Sequence, residues 1–320
     1  RRLGFPFLTP LSRQMNALAD VLAYVAVIVI GQILRLNGTF PRDAVRPMSM
    51  LVLYVTLPCS VIVFLSGVKL SSDLLIPFFV GLLSNWALIA LAVLLTRREA
   101  ERRGEPNLVP FSMLNLSGYN IGTFSMPFTM GIVSPVGFLS ICLFDVGNAV
   151  MVTGGTYAIA VRDEKAGWRE RLRSIGMRLL SSSCLWTYAF VLALAFMEVV
   201  LPRPILHFCE VVGKANPFLA MLLIGLSVNL RIDWAKFRPL VKLLVWRYVG
   251  NAALAALAFF FLPVSEEIRK ALVLVLMAPM PAMGVIFTMK AKLDWETAAN
   301  LNSVSVIVSV LLMTATIVFL

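Results

Sequence analysis

Asn115, Ser117, Asn120, Thr123 and Ser125 stand in one stretch without a single charge, residues 109–130, together with Gly118, Gly122 and Pro127. Hydroxyls and amides at that density do not suit a helix facing lipid, but they are groups that bind a polar solute in a membrane cavity. A proline inside a helix removes one donor and frees a carbonyl four residues earlier. In hydrocarbon such groups persist only beside protein or water, where they and the helix ends can hold ions or carboxylates. A second interrupted stretch, 268–289, carries Pro279, Pro281 and Gly284 among Met277, Met280, Met283 and Met289. Matching interrupted stretches in the two halves of a chain point to a transporter site. Blander readings stand beside this one: Gly118-x-x-x-Gly122 also matches close helix packing, a lone proline can be a harmless kink, and the methionines read as adaptable packing.

Asp145 is a carboxylate deep in an apolar stretch, ten residues after Pro135. At ~1.5 Å per residue it lies ~15 Å along the helix, half of a ~30 Å hydrocarbon core. An ionisable group there is costly unless it meets water, a cation or donors, so Asp145, with Asn148 three residues on, is a candidate for proton or sodium coupling. The alternative is a structural carboxyl held by hydrogen bonds. Glu210 and Lys214 stand four residues apart in the order that favours mutual neutralisation. His207, the only histidine, is expected at an interface, with no partner for a metal site. Residues 296–320 carry Asn300, Asn302, Ser303, Ser305 and Ser309, a polar stripe in which Asn302 is placed to match Asp145.

The elements that must position these residues follow from composition. Of 320 residues 59% are hydrophobic, against 28 Lys and Arg and 17 Asp and Glu. With ~20 apolar residues per span, such a chain fills roughly nine or ten membrane helices and leaves no room for a large soluble domain. Cuts at charge clusters and at Pro and Gly give ten spans: 17–36, 46–66, 74–96, 109–130, 135–160, 175–200, 204–229, 239–262, 268–289 and 296–320. The net charge of +11 falls in short clusters between spans, which reads as topology and not as a nucleic-acid face. Connections after odd-numbered spans hold 20 basic residues and the other side seven, so both termini are expected outside the cell membrane and the central linker in the cytoplasm. Arg1 to Pro10 is too short an apolar run for a signal-peptide core. Cys59, Cys142, Cys184 and Cys209 form no metal-ligand or disulfide pattern.

Span 2, from Leu57, and span 7, from Asn216, each place a proline, then a glycine eight or nine residues later, then a polar residue before leucine. This supports two five-span repeats, 1–161 and 175–320, joined by a linker at 162–174; five being odd, the repeats are inverted. Asn120 to Pro127, N-I-G-T-F-S-M-P, resembles the crossover segment of the auxin efflux carrier family, including its plant PIN-type members, with an asparagine seven residues before the proline. T-L-P in span 2, F-D-V-G-N in span 5, I-G-L-S-V-N-L in span 7 and M-P-A-M in span 9 extend the resemblance over nearly the whole chain. Ser125 departs from the glycine common in that family. The resemblance implies an all-α membrane protein of ten helices, with helices 4 and 9 broken, near Pro127 and Pro281, and crossing. It implies a secondary transporter moving a small organic anion, auxin-like or dicarboxylate-like, by alternating access. The substrate set expected at the crossover is Ser117, Asn120, Gly122, Pro127, Met280, Pro281 and Met283; the coupling set is Asp145, Asn148 and Asn302. Expected partners are a small organic acid and membrane lipid, with a homodimer left open and no nucleic acid. No cofactor is expected beyond a coupling proton or sodium ion. A sodium-coupled carrier of the bile-acid type and a non-transporting sensor are the alternatives. An intramembrane enzyme would need a nucleophile–base pair or metal ligands, and the chain has one His, no G-x-S-x-G and no H-E-x-x-H.

Overall fold

The computed structural model describes residues 10–68, 72–161, 167–228 and 234–319, and the regular structure among them is entirely helical. Expected features at Lys69, at 162–166 in the linker and at 229–233 lie outside the described residues. In chain order the helices are α1 (Pro10–Leu36), α2 (Val45–Phe64), α3 (Leu75–Arg103), α4 (Leu108–Leu116), α5 (Met126–Thr129, entered through a π-helical turn at Ile121–Ser125) and α6 (Pro135–Ala160). They continue as α7 (Trp168–Leu180), α8 (Ser183–Phe196), α9 (Arg203–Gly213), α10 (Asn216–Ser227), α11 (Trp234–Phe261), α12 (Glu266–Leu276), α13 (Ala282–Lys290) and α14 (Trp295–Phe319).

Among the described residues seven helices are long and apolar enough to cross a membrane, with α9 and α10 taken together as Arg203–Ser227; they match spans 1, 2, 3, 5, 7, 8 and 10 to within a few residues, except that α3 runs seven residues past the expected end at 96. The protein is an all-α, membrane-embedded one. Local chemistry sets several boundaries. Ser134 caps α6, its Oγ accepting from the Gly137 N–H at 3.2 Å, with Pro135 in the first turn where a missing donor costs nothing. In α2 a π-helical turn at Val52–Thr56 precedes Pro58, with the Leu57 N–H donating to Val52 O, and Ser183 Oγ donates to the Leu53 carbonyl at 2.8 Å.

Span 6 is corrected. The stretch 175–200 is not one helix: Leu172–Leu180 and Ser183–Phe196 are bent 67° apart at Ser181 and Ser182. Arg178 explains the departure, since its Nη1 donates to the Thr153 carbonyl at 3.0 Å and its guanidinium lies 5.4 Å from the Phe287 ring centre. That tie holds the basic helix α7 against the end of α6.

Two groups of helices result. In one, α1 runs along α10, and α2 along α8 and α9; in the other, α3 runs along α4 and α6, α12 lies between α6 and α11, and α13 runs along α14. Glycines let the backbones touch within each group. A Cβ on Gly81 or Gly147 would strike the carbonyl of Phe144 or Phe78 across the α3–α6 contact, and one on Gly225 would strike Ile28 O across α1–α10.

Candidate functional site

The second broken span opens at its expected proline and the first does not. After α4, Ser117 is extended (φ −83°, ψ 163°), Gly118 takes φ +83°, and helical geometry resumes only after Asn120 (φ −85°, ψ 84°). The expected break near Pro127 is therefore wrong by about seven residues: Pro127 is buried six residues inside the segment that starts at Ile121, and the backbone before it is helical (Ser125 φ −65°, ψ −41°; Met126 φ −61°, ψ −55°). After α12 the chain runs extended to Pro281 (φ −73°, ψ 141°), which sits just before α13.

The two extended pieces meet. The Asn120 N–H donates to the Pro279 carbonyl at 2.9 Å, and Gly118 lies under the Pro281 ring. Each piece is held by amides or hydroxyls from a neighbouring helix, as buried backbone groups require. On α6, Asn148 Nδ2 donates to Tyr119 O at 2.9 Å and its Oδ1 accepts from Tyr119 N at 3.1 Å. On α14, Asn302 Nδ2 donates to Met280 O at 2.8 Å while Ser305 Oγ accepts from Met280 N at 3.1 Å. Asn148 and Asn302 thus act on corresponding sides of the two breaks. Asn148 has its remaining capacity taken up by Asn85 at 3.2 Å and Asp145 at 3.2 Å, which leaves its side chain committed to the scaffold.

A cleft of about 170 Å³ opens beside the meeting point, where the two helix groups face each other. Its polar lining is Ser49, Asn120, Thr123, Ser227, Asn302 and Ser303, over apolar Leu223, Ile224 and Val306. Asn120 Oδ1 accepts from Thr123 Oγ1 at 2.6 Å, which leaves its Nδ2 as the donor toward the cleft. Two helical segments start at its edge, after Asn120 and at Ala282, so their free N–H groups and positive dipole ends favour a negative charge there. No family model matches the chain, and no curated protein matches it. What the site can do therefore follows from its own chemistry.

Of the residues expected around a substrate, Asn120 lines the cleft, where it is joined by Asn302, which was expected for ion coupling. Ser117 is buried on Met113 O at 2.8 Å, beside Thr156 Oγ1 at 3.3 Å; Gly122 faces Cys184 and Leu57; Met280 is buried, and Met283 is partly exposed next to the Pro281 turn. Asp145 is outside the cleft. Its Oδ2 accepts from the Tyr188 hydroxyl at 3.1 Å and its Oδ1 from Asn148, so it links α8 of one group to the first break in the other. Glu210 does not neutralise Lys214: it lies 3.7 Å from His207, and Lys214 is exposed where α9 ends.

Arg247 was missed. Counted from sequence among the basic residues of a connection, it is instead fully buried on α11. Its Nη1 donates to the Leu116 carbonyl and its Nη2 to Gly118 O at 2.7 Å and Ala278 O at 3.3 Å, with the guanidinium 5.3 Å from the Tyr119 ring centre. One arginine therefore serves carbonyls of both breaks. The signal was present, because Arg247 lies eight residues inside span 8, ~12 Å deep by helical rise, the same depth reasoning that singled out Asp145. Asn251, one turn on, completes the buried face by accepting from Tyr119 Oη at 3.1 Å.

Proposed function

We propose that this protein is a secondary transporter of small organic anions, of the auxin efflux carrier type, working by alternating access at the meeting point of the two broken spans. The observation that carries the reading is the cleft itself. Amides from both halves of the chain, Asn120 and Asn302, and two helix starts converge on a small polar space between two helix groups. A carboxylate is the solute that suits N–H donors and positive helix ends without a metal or a catalytic base. On this reading the seven long helices, the bent span 6 and the two broken spans make ten passages in two inverted repeats, and motion of one helix group against the other opens the cleft to each side in turn.

The sidedness of charged contacts supports the same topology. Glu99, at the end of α3, pairs with Lys242 on α11 and with Arg103 at 2.8 Å, while Ser134 before α6 donates to Glu267 in the first turn of α12 at 2.6 Å. Connections expected on one side thus meet each other and not those of the opposite side. Without Arg247 the inner side still holds 19 basic residues against seven. In a cysteine-free background of intact cells, a cysteine at Arg102 is expected to react with an impermeant thiol reagent only after permeabilisation, and one at Arg203 without it. The reverse pattern would invert the orientation.

The direct test is flux in proteoliposomes across a panel of mono- and dicarboxylic acids. Asn120→Ala removes a donor to a charged ligand, worth about 1.5–3 kcal/mol, so transport efficiency is expected to fall about ten-fold or more. Thermal unfolding should move little, since Asn120 is only partly buried. Equal flux in the variant and the parent would remove the cleft from the substrate path.

A further inference from the structure

Arg247 places a full positive charge, buried from solvent, where two interrupted helices leave carbonyls behind. Among the described residues no carboxylate lies within ion-pair distance of it. The partners are Leu116 O at the end of α4, Gly118 O in the first break and Ala278 O in the second, together with the face of Tyr119. Helix-terminal carbonyls carry partial negative charge, and inside a membrane they need a donor or a cation. Three converging backbone oxygens and a ring face make a ligand set for a monovalent metal ion, the kind that unwound transporter helices offer to sodium. The fit of the guanidinium is incomplete: its Nε is buried without a hydrogen-bond partner, so the oxygen cage matches a charge at the Nη end and not the full fork of donors.

We propose that Arg247 is the resident cation of the crossover, its guanidinium filling a carbonyl-lined site that would otherwise take a monovalent metal ion. A tethered charge neutralises the helix ends in every state of the cycle and cannot leave with the substrate. Transport therefore runs without sodium at this position, and removing the side chain opens a sodium site. The flux part of this inference rests on the transport reading; the site itself is a property of the folded protein.

The test is thermal unfolding of purified protein in detergent, in sodium, potassium or choline chloride at equal ionic strength. The parent and Arg247→Lys, which keeps the charge, are expected to unfold at the same temperature in all three salts. Arg247→Ala is expected to be less stable in choline and to recover saturably with sodium, by about 3 °C at ten times the half-saturating concentration. Arg247→Gln keeps a donor for one carbonyl and undergoes the same comparison should the alanine variant not fold. A sodium-specific rise in the parent would overturn the proposal, as would the absence of sodium dependence in the neutral variant that folds. In proteoliposomes, parent flux should be the same in sodium and choline. No flux of any acid would count against the transport reading and leave the unfolding series to decide the cation site.

Discussion

Gly118→Ala is expected to lower the unfolding temperature by roughly 5–10 °C and to reduce flux at least about ten-fold, whereas Gly122→Ala should change either very little. Two costs add at Gly118. Its φ of +83° is a conformation that an L side chain adopts at about 1–2 kcal/mol. A Cβ there would also stand 2.7 Å from the Pro281 ring and 2.9 Å from Val152, forcing the two extended pieces apart at about 1–3 kcal/mol. That separation would lengthen the Asn120 N–H to Pro279 O bond and loosen the Gly118 carbonyl from Arg247, so the damage reaches the cleft as well as the packing. At Gly122 the same methyl meets nothing nearer than 3.6 Å, and φ is helical. Unfolding curves and flux for the two variants side by side check this. Equal behaviour would mean that the close crossing of the breaks is not what holds the site.

The contrast between these glycines also marks how far the sequence could be read. Charge clusters and apolar lengths located the long helices, because hydrocarbon imposes one length and one polarity on each of them. The site residues Asn120 and Asn302 were visible as amides in apolar runs for the same reason. The break at Ser117–Asn120 was not, because a glycine at positive φ and a glycine in a close helix contact look alike in sequence while Pro127 offers a louder signal. Span 6 was misjudged because Leu179 and Leu180 extend an apolar count through a bend that Arg178 sets by reaching back to Thr153. Arg247 was hidden by its neighbours: Arg238 and Lys242 lie in the same run of α11, and only burial separates a charge at the membrane edge from one at its centre.

Asp145→Asn is expected to leave the protein folded and exchanging substrate while abolishing the response of flux to an imposed pH gradient. The ionised carboxylate accepts twice, from Tyr188 on α8 and from Asn148, and Asn148 in turn grips both backbone groups of Tyr119 in the first break. Asp145 is thus the link between the helix group that contains α8 and the group that contains the break. Taking up a proton removes the carboxylate's charge and turns one of its oxygens into a donor, so the bonds to Tyr188 and Asn148 lose their charge assistance and the tie between the groups weakens. Losing the proton restores it. On the proposed transport reading, movement of one group past the other would thereby be linked to protonation, and one pH unit, worth 1.36 kcal/mol, can sustain about a ten-fold substrate ratio at one proton per cycle. Asparagine has nearly the same shape and offers one acceptor and one donor at every pH, so the link stays in its weakened form and the ratio should fall to about one. Proteoliposomes carrying a one-unit gradient measure this directly, with counterflow exchange as the control for folding. Full gradient-driven accumulation by the variant would make Asp145 a structural carboxylate, since a side chain that cannot ionise cannot couple a proton to transport.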